Sequence, residues 1–223
     1  NNILAAKEPV QRKNKNFSSL ASRSNFIKIG DKLPIKIIGE KINPTGNKKL
    51  AEEMKKYKTD YISQLAFEQK KAGADIIDLN VGLANINQKK IIKKAVHAVQ
   101  DKSEIPISID TDNHLAMEEG LKSFPGKALA NSVTAEEESM EQVLPLVKKY
   151  GAAVIALTLD ENGIPENAEK RLALAEKIVS KAEKIGLNRN NIFIDTLALT
   201  VGSSQRQIEE SLRGLRLIKE KLG

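Results

Sequence analysis

Six short apolar runs in this sequence end in a residue able to hydrogen-bond. They are Glu40 after IIG, Asp78 and Asn80 in IIDLN, Asp110 in ISID, Asn131 in ALAN, Thr158 and Asp160 in ALTLD, and Asp195 in IFID. A lone aspartate after a strand usually caps a helix or makes a turn, and Asp112, Asn113 and Thr134 fit that role. Asp78, Asp110 and Asp195 differ, because each closes an apolar strand and would point into one common mouth. Three carboxylates gathered there repel one another unless a ligand or a cation meets them. A ligand with several N–H donors would do so. Asn80 and Asn131 add groups that both donate and accept. The expected ligand is a flat, nitrogen-rich heterocycle.

The elements that must carry these residues follow from periodicity. Apolar runs at 35–39, 75–81, 105–110, 127–133, 152–159 and 192–196 are too short for helices and rich in Ile and Val. Continuous apolar runs indicate strands buried on both faces, hence a parallel sheet. Helical periodicity fills 48–72, 88–101, 113–123, 135–150, 166–185 and 204–222, and Gly73, Gly120, Gly151 and Gly186 stand where helices should stop. The fold class is α/β, and two architectures compete: an open doubly wound sheet and a (β/α)8 TIM barrel. No GxGxxG loop follows the first strand. Polar groups at the carboxyl ends of successive strands are what a barrel's active face needs. The barrel is favoured, with about six βα units present and strands seven and eight expected to be missing.

Residues 1–33 are polar and basic and are expected to form a linker or N-terminal extension with a short strand at 26–29; residues 34–223 form the barrel domain. The chain begins with Asn1, which suggests a segment of a longer protein. In IGEKINPTG, residues 38–46, Pro44 stiffens the loop and Gly46 permits its return into the first helix. Asn43 would then be aimed across the mouth, and Glu40 would partner Lys41 or the ring.

Composition excludes several classes. No cysteine is present, so no disulfide and no cysteine-ligated metal can form, and two histidines are too few for a histidine-rich site. The net charge is +7, but the lysines are dispersed and aromatic residues make up 4%, so nucleic acid is not an expected partner. No apolar run approaches the roughly 20 residues of a membrane span, and no signal peptide is visible, so the expected address is the cytoplasm.

Taken together, IIGEKINPTG, DIIDLNVG, ISIDT, ALANSVT, ALTLDENGIP and IFIDT resemble the pterin-binding family, over residues 34–222 and in order. The first loop is similar to that of the methyltetrahydrofolate:corrinoid methyltransferase branch, which includes the folate module of cobalamin-dependent methionine synthases. It lacks the PDSF found in dihydropteroate synthases. LASRSNFIKIG, residues 20–30, resembles the linker that follows the homocysteine domain in methionine synthases.

The resemblance implies that Asp110 and Asp195 accept hydrogen bonds from the pterin edge, that Asp78 supports the pocket floor, and that Asn131 contacts N5 and acts catalytically. It implies 5-methyltetrahydrofolate as substrate and a cobalamin or other corrinoid carried by another domain or protein, with a homocysteine-binding domain N-terminal in the parent chain. The alternatives are a dihydropteroate synthase and a pterin-binding fragment without catalysis. Two departures stand out: Thr196 replaces a common proline, and an asparagine on the seventh strand would lie beyond Gly223.

Overall fold

A computed structural model describes residues 17–199 and 205–223. An antiparallel hairpin, β1 (Ser18–Ala21) and β2 (Phe26–Ile29), comes first. There follow β3 (Ile38–Ile42), α1 (Lys48–Lys55), α2 (Asp60–Lys71), β4 (Ile76–Asn80), α3 (Gln88–Ser103), β5 (Ile107–Asp110) and α4 (His114–Ser123). The chain continues through β6 (Leu129–Val133), α5 (Glu137–Tyr150), β7 (Ala153–Leu157), α6 (Ala168–Lys184), β8 (Ile192–Asp195) and α7 (Gln205–Leu222). Strands β3 to β8 form one six-stranded parallel sheet in sequence order, with β3 and β8 at its edges. This is the expected partial barrel of six βα units.

Local chemistry sets the element ends. Asn47, Asn87, Asn113 and Asn167 each accept a backbone N–H of the following first turn, capping α1, α3, α4 and α6. Asn113 thus has the capping role expected of it. Gly73 and Gly151 stop α2 and α5 with φ of 99° and 63°, a region that side chains avoid.

Three sequence expectations need correction. The first strand is Ile38–Ile42, not 35–39, so Glu40 and Lys41 lie within the strand and the loop begins at Asn43. Ile35 and Ile37 are 92% and 58% exposed, because the apolar run precedes the pairing with β4, which starts at Ile38 opposite Ile76. The helix expected over 48–72 is two helices, parted at Tyr57, whose φ is 53°. Gly120 lies inside α4 rather than ending it. A Cβ there would stand 2.9 Å from Ile109 Cγ2, so the glycine serves close helix–sheet packing.

Strand alternation divides the sheet into two faces. Ile77, Leu79, Ile107, Ile109, Ala130, Val154 and Ala156 pack in the main core, together with residues of the helices such as Ile91, Val96 and Val147. The opposite, inner face is apolar at its lower end. There Ile76, Leu129 and Ala153 close around Leu20 of the hairpin, with Ile27, Ile29, Ile38, Ile155 and Phe193 against them. The hairpin therefore covers the amino-terminal ends of the strands, and the polar strand ends stand at the other.

Candidate pterin site

Register lays the inner-face residues out in rows. Asp78 stands opposite Ser108, Ser108 opposite Leu129, and Leu129 opposite Ala153. One step toward the carboxyl ends, Asn80 faces Asp110, Asp110 faces Asn131, Asn131 faces Ile155, and Ile155 faces Phe193. Leu157 and Asp195 form the next pair. Four of the expected site residues therefore fall on three adjacent strands, and Asp195 stands higher on the far edge.

Those four are bonded to each other. The Asn80 amide donates Nδ2 to Asp110 Oδ2 at 2.7 Å, and the Asn131 amide donates Nδ2 to Asp78 Oδ1 at 3.2 Å. Asn80 Oδ1 accepts from Gly82 N at 2.8 Å, which fixes its orientation from the loop side. One of the two N–H groups of the Asn131 amide is thereby engaged. Asp78 is 4% exposed. Burial, and then the neighbouring Asp110 carboxylate, push its pKa up from 3.8 to about 7, while the Ser108 hydroxyl and the Asn131 amide act the other way. Ser108 was missed in the sequence, although its place two residues before Asp110 in ISID marks it as an inner-face residue. A cavity of about 320 Å³ opens beside this group, lined by Asp110 and Asn131 and by Asp112, His114, Ser132 and Gln142.

The remaining expected residues lie apart from that group. Asp195 is exposed; its Oδ1 accepts from Leu197 N at 2.7 Å, and its carbonyl accepts from Thr158 N and Thr158 Oγ1 at 3.0 and 3.1 Å. Thr158 is fully buried, so that strand-end threonine supports Asp195 rather than facing the mouth. Asp195 borders a largely apolar cavity of about 470 Å³ between the two sheet edges, with Ile38, Ile155 and Phe193. Glu40 and Asn43 line a third cavity, of about 780 Å³, with Lys41, Lys48 and Tyr61. Asn43 Oδ1 accepts from Thr45 N at 2.9 Å, turning the side chain back on its own loop. The Lys41 amide donates to Gln69 Oε1 at 2.7 Å, which anchors β3 to α2. Among the described residues no cluster of His, Asp and Glu is arranged to hold a metal ion, and no helix is long and apolar enough to cross a membrane.

Acids and amides thus stand together on the inner face at the carboxyl ends of parallel strands, above an apolar floor, and the carboxyl ends of the strands are where a barrel carries its functional groups. The chain belongs to the pterin-binding enzyme family, whose model matches residues 39–223. It is 27% identical over 232 residues to a methionine synthase of Mycobacterium tuberculosis, an alignment covering 98% of this chain and 20% of that protein. A methionine synthase of Mycobacterium leprae is 28% identical over 213 residues, covering 91% of this chain and 18% of that protein. The chain thus spans about a fifth of the length of these relatives. Among solved structures, dihydropteroate synthase from Thermus thermophilus superposes with a TM-score of 0.63 at 22% identity, over 91% of this chain and 74% of that one. One from Xanthomonas albilineans gives 0.62 at 15% identity, over 91% and 73%. At such identities these two comparisons establish a shared fold.

Proposed function

We propose that this chain, in residues 34–223, is a folate-binding module that takes 5-methyltetrahydrofolate and gives up its N5 methyl group to the cobalt of a reduced corrinoid, as part of methionine synthesis. The observation that carries the proposal is the Asp78–Asn131 bond. It commits one N–H of the Asn131 amide inward, and the amide oxygen is the atom proposed to meet an N–H donor. Asp110 and Asp195 supply acceptors for the donors along a pterin edge, and charge-assisted bonds of this kind are roughly twice as strong as neutral ones. Asn80 holds the Asp110 carboxylate in place. The similarity to methionine synthases along nearly the whole chain supports the choice of branch.

A tertiary amine is a poor leaving group, so N5 must carry positive charge before its bond to the methyl carbon breaks. Asn131 Oδ1 would accept from a protonated N5 and favour that charge without bearing one itself. The electron pair of the broken bond stays on N5. The corrinoid, carried on another domain or protein, supplies the nucleophile, so no side-chain nucleophile is required. Asp195, Asp112 and Glu40 are exposed, which keeps the rim reachable from outside. A homocysteine-binding domain would be a further partner, and the cytoplasm the expected address.

Loss of the N5 methyl group to reduced cobalamin, followed by the change in cobalamin absorbance, is the direct test. The alternatives are dihydropteroate synthesis, detected as condensation of aminobenzoate with a pterin pyrophosphate, and pterin binding with neither reaction. Asn131→Ala should lower the single-turnover methyl-transfer rate by more than it weakens folate binding, since only interactions stronger in the transition state raise the rate. A normal rate with weakened binding would leave Asn131 as a positioning residue.

A further inference from the structure

Arg171 on α6 is the largest fully buried side chain of the described residues. Its Nε donates to the carbonyl of Thr196 at 2.9 Å and its Nη2 to Gln207 Oε1 at 2.7 Å, both neutral acceptors, while Nη1 is buried with no hydrogen-bond partner among the described residues. Burying a guanidinium whose direct acceptors are neutral is unfavourable compared with an apolar side chain of the same size, and burial lowers its pKa while the nearby Glu210 carboxylate acts the other way. α7 is nevertheless shaped to cover it: Gly214 approaches so closely that a Cβ there would lie 3.3 Å from Arg171 Cδ.

What the arrangement fixes is the main chain just after Asp195. The Thr196 hydroxyl is 2.7 Å from Ser211 Oγ, and Ser211 Oγ is also 3.3 Å from the Thr196 carbonyl that Arg171 holds. On the other side, Thr158 holds the Asp195 carbonyl. The next residue, Leu197, has a left-handed φ of 57° and donates its N–H to Asp195 Oδ1. The carboxylate is exposed, yet both peptide groups beneath it are tied to buried side chains.

We propose that Arg171 is a positioning residue of the pterin site, which aims Asp195 at the ligand by clamping Thr196 between α6 and α7. The inference rests on Asp195 being a pterin contact. Arg171→Lys, Arg171→Met, Ser211→Ala and Asp195→Asn, with the double variants, are made in the intact protein. Each is titrated calorimetrically with 5-methyltetrahydrofolate and melted thermally. Arg171→Lys and Arg171→Met should each weaken binding about tenfold, and Ser211→Ala about threefold. In the Asp195→Asn background the same changes should weaken it by less than about twofold, the non-additivity expected of residues that act as a unit. Arg171→Met should not lower the melting temperature in proportion. Should Arg171→Lys and Arg171→Met fail to fold, Ser211→Ala carries the same comparison. Unchanged affinity in the single variants, or equal losses in both backgrounds, would overturn the role of Arg171 while leaving Asp195 in the site. Asp195→Asn binding as tightly as the parent would remove Asp195 from the site, and the inference with it.

Discussion

The β4–β6 segment of the inner face and the two sheet edges carry the same residue types in opposite settings. On β4–β6, Asp78, Asn80, Asp110 and Asn131 stand in adjacent register and bond directly to one another. At the edges, Glu40 and Asp195 are exposed, and Asp195 is held through its backbone from beneath. Central strands place their side chains by pairing on both sides. An edge strand has only one paired neighbour, so the placing of its polar end residue depends on loop and helix contacts instead. The same types of acid and amide are thus preorganised in one region by the sheet and in the other by a buried tether.

The largest expected difference concerns Asp78. Its carboxyl is raised from 3.8 to about 7, so between those values the folded chain holds a proton that the unfolded chain has released. The unfolded state then binds fewer protons, and stability falls as pH rises through that window. A lift of this size corresponds to on the order of 4 kcal/mol as an upper bound, since the site is shared with Asp110. Asp78→Asn removes the titration. Its denaturation midpoint should match the parent at pH 4 and exceed it at pH 8. A midpoint at pH 8 equal to or below the parent's would show that Asp78 ionises without penalty.

Next in size are Asp110 and Asp195, the two acids proposed to meet the pterin. Asp110→Ala and Asp195→Ala should each reduce affinity for 5-methyltetrahydrofolate by roughly 1.5–3 kcal/mol, about 10- to 150-fold. They should part company in stability. Asp110→Ala strips the Asn80 amide of its acceptor and relieves Asp78 of a like-charged neighbour, so it should flatten the pH dependence of unfolding. Asp195→Ala should leave that profile unchanged, because its carboxylate bonds only the Leu197 amide among the described residues. Calorimetric titration and denaturation at pH 5 and 8 check both. Equal profiles would erase the distinction between centre and edge.

What the sequence disclosed follows the same division. On β4, β5 and β6 a continuous apolar run closed by a polar residue marked the strands that carry Asp78, Asn80, Asp110 and Asn131, because pairing on both sides leaves a strand little freedom to slip. β3 slipped by three residues. The apolar PIKII looked like the strand, but Ile35 borders the open cavity between the edges and IGEKI, from Ile38 on, makes the pairing. The hairpin was half visible: FIKI read as a strand, while its partner SSLA hid in a polar stretch. A single leucine, Leu20, seals the lower end there, and one apolar residue has no period. Arg171 was invisible for a related reason, since α6 shows where a helix face is apolar, not that an arginine on it is buried beneath a glycine of α7.

The smallest expected effect belongs to Asn43. Its side chain is engaged with Thr45 N in its own loop, between the strand end and the cap of α1. The loop is stiffened by Pro44, and Gly46 takes a φ of 75° with open space around it. Asn43→Ala loses one exposed hydrogen bond, about 0.5–1 kcal/mol of loop order. If Asn43 reaches the ligand by swinging from Thr45, it must give up that bond, and the net contribution to binding stays small. Affinity for 5-methyltetrahydrofolate should therefore fall by less than about tenfold, with melting temperature nearly unchanged. A loss as large as that of Asp110→Ala would mean that the β3 loop closes over the ligand with bonds of its own. The edge would then be organised by ligand binding as firmly as the centre is by sheet register.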